Sequence, residues 1–210
     1  MRTAAMVMAL LAVIGTEVGQ AKQTEKQTVV VYVENGLAPM SVVRQAQGMA
    51  GKLFAGIGVT IDWRRGVPED NSSPQERALA VRMASETPRN YLPAAVAASQ
   101  PYEGVHITVF YDRVASRFQH HRSPLQAQAL TSRLLAHVLV HEVSHMLQGI
   151  SRHSPSGVMK AVWTPEDYRQ MERRMLPFAP EDVHLIHGGA QARDGAKLVT
   201  ANTSPKVAAP

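Results

Sequence analysis

The sequence has no cysteine. This excludes disulfide scaffolds, cysteine-ligated zinc knuckles and thiol nucleophiles. Aromatic residues are scarce, at 5% of 210 residues, and the basic residues are not massed in one block. Both absences argue against a nucleic-acid surface, which wants basic patches interleaved with stacking rings. No apolar run approaches the roughly 20 residues that span a bilayer, so no stable membrane insertion is expected. Acidic residues are also short, with 17 Asp and Glu against 22 Lys and Arg, for a net charge of +5. What remains, 45% hydrophobic and 19% charged, is the composition of a globular chain.

The two ends differ from the middle. Arg2, the apolar run Ala4 to Ile14 and the small residues of Gly19-Gln20-Ala21 follow the order of a secretory signal peptide. Cleavage near Ala21 predicts a secreted or periplasmic protein, with residues 1–21 as the leader. From residue 188 to 210 the chain is small and polar, without helical or strand period. It reads as a disordered tail. Residues 22–187 are then one domain.

Within that domain, Thr28 to Val33 reads as a strand ended by Asn35-Gly36. Pro39 opens a helical period, carried by Met40, Val43, Ala46, Ala50, Leu53 and Ile57 and stopped by Gly56 and Gly58. Val59, Ile61 and Trp63 alternate as a second strand. Strand, helix and strand over this length predict a βαβ unit with a parallel pair. Pro74 to Ser85 reads as a short helix, and Pro88 to Pro101 gives no clear element. Val105 to Tyr111 is a third strand, whose near-continuous apolar run suits an interior position and whose place before the site suits a substrate-binding edge. Ser123-Pro124 starts a long helix ending at Gly149. Thr164-Pro165 starts another, through about Met175, and Pro180 a last short one.

The chemistry lies in His141-Glu142-Val143-Ser144-His145. A four-residue step brings His141 and His145 onto one helix face, one turn apart. Two imidazoles so placed can share one zinc at about 2.1 Å each. Glu142 stands beside that face and suits an outer-sphere base that takes a proton from the metal's water. With 9 His and 11 Glu in the chain, chance yields about 0.02 such patterns. The third ligand is open from the residues alone. His153 follows the Gly149 stop and could swing back to the metal. Glu166, with Asp167 beside it, starts a later helix and could supply an acidic ligand. Both acids also sit where a first helical turn favours negative charge.

The stretch HEVSHMLQGISRHSPSGVM, His141 to Met159, resembles the metzincin clan of zinc peptidases, whose pattern is HExxHxxGxxH followed by a turn containing methionine. It is more similar still to a group of small exported bacterial metallopeptidases with HExxH, a loop, His-Ser-x-x-Gly-Ile/Val-Met and a nearby Trp, here Trp163. The strong likeness covers about twenty-three residues. It departs from the clan in loop length: the glycine and the third histidine come four and eight residues after His145. The resemblance implies zinc on His141, His145 and His153, Glu142 as general base, and Met159 in the turn below. It also implies an α+β fold: a single zincin-like domain with a small mixed twisted sheet packed on the active-site helix. The expected activity is hydrolysis of peptide or protein substrates. A metal-binding or interaction protein without turnover, or a zinc hydrolase of a non-peptide substrate, is the alternative. Nothing in the sequence fixes an oligomeric state.

Overall fold

A computed structural model describes residues 27–68, 78–101, 105–119 and 123–189. The predicted leader and all of the predicted tail beyond residue 189 lie outside the described residues. Five strands form one sheet in the order β2-β1-β3-β5-β4. They are β1 (Gln27–Glu34), β2 (Val59–Arg65), β3 (Leu79–Ala84), β4 (Ala97–Ser99) and β5 (His106–Phe110). The first four in that spatial order run parallel, and β4 lies antiparallel on β5. The helices are α1 (Met40–Ala55), α2 (Tyr111–Ser116), α3 (Pro124–Gln148) and α4 (Pro165–Met171). A last helix, α5, spans residues 180–189, so it crosses the boundary predicted at 188. The result is the expected α+β class, with one mixed sheet and α3 packed beside it.

The βαβ unit forms as predicted. β1 and β2 pair in parallel from Gln27 opposite Val59 to Val33 opposite Arg65, with α1 between them. Val42, Val43, Ala46, Ala50 and Phe54 of α1 are buried at helical spacing.

The structure departs from expectation at β3, at α2, which no sequence signal marks, and at α4, which ends at Met171 and not near Met175. The short helix predicted over Pro74 to Ser85 is a strand where it is described. Leu79, Val81 and Met83 are buried and alternate with Ala80, Arg82 and Ala84, a period of two. Ala, Leu, Arg and Met are good helix formers, but pairing to β1 and β5 overrides propensity. The third strand, β5, is interior, paired on both sides. The sheet edge belongs instead to β4, three residues inside the segment that gave no clear element.

α3 begins at the predicted cap. Ser123 and Gln126 close a capping box and Pro124 takes the first turn. It stops at Gly149, whose φ of 68° suits the residue without a Cβ. Its second half, from Leu134 to Gln148, is buried on almost every side except at Glu142. A helix buried on nearly every side belongs inside a domain, and α3 packs against α1 and against β4 and β5.

Candidate metal centre

Because α3 runs through the core, His141 and His145 face inward, 8% and 5% exposed. Each ring is fixed by a backbone carbonyl. His141 Nδ1 lies 2.9 Å from the Val158 oxygen, and His145 Nδ1 lies 3.1 Å from the Ile150 oxygen. A carbonyl only accepts, so both Nδ1 atoms carry the proton and donate. In a neutral imidazole that leaves a bare lone pair on Nε2. Burial keeps the rings neutral, pushing both down to about 4. Yet the two Nε2 atoms face each other at 3.0 Å. Neither has a proton to share, so they cannot form a hydrogen bond. Two lone pairs held that close call for a cation between them.

His153 joins them from the loop after α3. Its ring centroid is 5.2 Å from that of His141 and 4.8 Å from that of His145. One ligand atom from each of the three histidines lies within 4.8 Å of the others, and the set is positioned to hold a metal ion. The donor chemistry fits zinc, since three neutral imidazoles with an open fourth position suit it well. His153 itself is exposed.

The chain returns under the site through Val158 and Met159, both fully buried. The Val158 carbonyl accepts from His141 and also from Trp163 Nε1 at 3.2 Å. Gly157, with φ of 76°, makes the close approach possible: a Cβ there would collide with the Pro177 carbonyl. Val158 N–H donates to that same carbonyl at 2.9 Å. Trp163 stacks edge-on against His141, with centroids 5.6 Å apart.

Glu142 is half-buried beside the histidine face. Burial pushes its carboxyl above the ordinary range, while a hydrogen bond from Ser99 and the nearby His145 and His153 pull it back. Ser99, on the edge strand β4, is a site contact that sequence reasoning missed. No local signal marks it, since β4 reaches α3 only through the tertiary fold.

The acidic candidates stand elsewhere. Glu166 pairs with Arg169 at 2.5 Å on an exposed helix face. Thr164 caps α4 by accepting the Asp167 N–H, while the Asp167 carboxylate accepts the Thr164 N–H at 2.7 Å and pairs with Lys160 at 2.5 Å. Neither belongs to the three-histidine set. His137, one turn before His141, is fully buried and satisfied at both nitrogens. Its Nδ1–H donates to the Arg133 carbonyl at 2.7 Å, and its Nε2 accepts from Leu176 N–H at 3.0 Å. It ties the segment before α5 to α3. His106 and His184 are exposed and His187 is half-buried, and none joins the set. His120 and His121 lie outside the described residues.

No family model matches the chain, and no curated protein matches it. Among solved structures it is similar to archaemetzincin from Methanopyrus kandleri, at 16% identity and TM-score 0.46, over 80% of this chain and 98% of that one. It is also similar to a zinc-dependent peptidase from Methanocorpusculum labreanum, at 12% identity and TM-score 0.48, over 75% of this chain and 99% of that one.

Proposed function

We propose that the chain is an exported zinc-dependent metallopeptidase. The observation that carries the metal is the pair of facing Nε2 lone pairs, 3.0 Å apart with both Nδ1 protons committed to carbonyls. In this reading His141, His145 and His153 hold the zinc. A zinc ion bound there supplies a water of lowered pKa and a Lewis acid for a carbonyl oxygen. Glu142 would serve as the base for the attacking water and carry its proton to the leaving amine. Its place beside the histidine face, in hydrogen-bond reach of Ser99, suits both acts. The edge strand β4 favours a peptide over other hydrolysable substrates. It is paired on one side to β5, and Ser99 brings it against the catalytic face of α3. An extended peptide could add to it as a further strand, with main-chain hydrogen bonds giving affinity. Export rests on the leader pattern of residues 1–21.

The test is Glu142→Gln, which keeps the shape and loses the base. The variant should hold zinc as the parent does and cleave a peptide pool about 100 to 10,000-fold more slowly. Undiminished cleavage would remove Glu142 from the mechanism. Loss of the metal would make it a ligand.

A further inference from the structure

His141 and His145 are aimed by hydrogen bonds to their own rings. The His153 ring has none among the described residues, and its side chain is exposed. Its placement therefore depends on its backbone, and both neighbours in sequence are tied to one group. Ser154 Oγ donates to Asp182 Oδ1 at 2.5 Å. Arg152 Nη1 lies 3.5 Å from the same oxygen and 3.4 Å from Ser154 Oγ. Arg152 Nη2 also pairs with Glu181 at 2.5 Å. Asp182 is 0% exposed, and its other oxygen accepts the Ala179 N–H at 3.2 Å, at the start of α5. Ser154 N–H donates to the Met159 carbonyl at 2.8 Å, so the grip on Ser154 extends to the turn below the site.

We propose that Asp182 is the positioning residue for the third metal ligand. One buried carboxylate holds the residues on both sides of His153 and so sets where its imidazole stands relative to the helical pair. A buried charge costs free energy unless it is well paired. Here its partners are Ser154, Arg152 and the first turn of α5, whose dipole also favours the charge, so one carboxylate joins this loop to α5. The proposal rests on the three-histidine reading given above.

The test is a set of zinc titrations of the full chain, in the parent and in a His153→Ala background. Two variants are used because Asp182 also caps α5. Asp182→Asn keeps the shape, and Ser154→Ala removes the hydrogen-bonded link on one side of His153 without touching the helix cap. Each should weaken zinc binding about 10 to 100-fold when His153 is present, the range found for groups that orient a ligand. Each should change it less than about 2-fold when His153 is absent, since ligand and positioning group then act as one unit. Cobalt(II) absorption should report altered coordination only when His153 is present. Thermal stability should fall equally in both backgrounds, which separates positioning from general damage. Equal losses of zinc affinity in both backgrounds, or no loss from either variant, would overturn the role of Asp182 alone. If His153→Ala binds zinc as tightly as the parent, the three-histidine reading falls and takes this proposal with it.

Discussion

The two helical histidines and the loop histidine are built in different ways. His141 and His145 sit on a buried, capped helix, and each ring is oriented by a backbone carbonyl. His153 sits on an exposed loop and is held through Arg152 and Ser154. The helical pair costs nothing extra to orient, because the helix period and the core already fix it. The loop ligand needs a glycine stop, a glycine turn and a buried carboxylate. Order at this site is therefore strongest at the pair and weakest at the third position.

The largest effect should come from the pair. His141→Ala or His145→Ala removes a buried ligand whose ring is already aimed by a backbone carbonyl. Either should abolish stoichiometric zinc binding in a micromolar titration. His153→Ala should weaken binding by less, on the order of 3 kcal/mol, about one ligand's share of a structural zinc site. Its exposed position lets water take the vacated place. If the loop variant proves as damaging as the helical ones, the proposed ranking is wrong.

That ranking also explains what could be read from the sequence. The pair was legible because its spacing, the Ser123-Pro124 start and the Gly149 stop are all local. The β1-α1-β2 unit was legible for the same reason. The strand β3 was not, because Leu79, Ala80, Arg82 and Met83 favour a helix and only pairing with β1 and β5 decides otherwise. The edge strand β4 has three residues and no period to detect. Ser99 and Asp182 were missed because each meets the site from far along the chain, 43 and 28 residues from the partner it touches.

A pH effect comes next in size. Burial lowers His137 to about 4 from an ordinary 6.5. The unfolded chain therefore binds the proton more readily between those values. The stabilisation is fully present above pH 6.5 and is lost as pH falls towards 4, by up to about 3 kcal/mol. Denaturant unfolding in the presence of chelator should show this loss. His137→Gln should flatten part of the slope, and an unchanged slope would mean that another group causes it.

The smallest effect belongs to Glu166. Glu166→Ala breaks an exposed, solvent-screened pair with Arg169, so neither the unfolding midpoint nor zinc affinity should change measurably. A large loss of zinc from this variant alone would move the third ligand from the loop to α4.

The central claim is that the two facing Nε2 lone pairs exist to hold a metal. Zinc titration of the full chain, checked by elemental analysis, tests it most directly. The account predicts one zinc per chain in the parent and in Glu142→Gln, and none in a chain carrying both His141→Ala and His145→Ala. A parent chain that binds no zinc, or that binds it equally well without these two histidines, would contradict it.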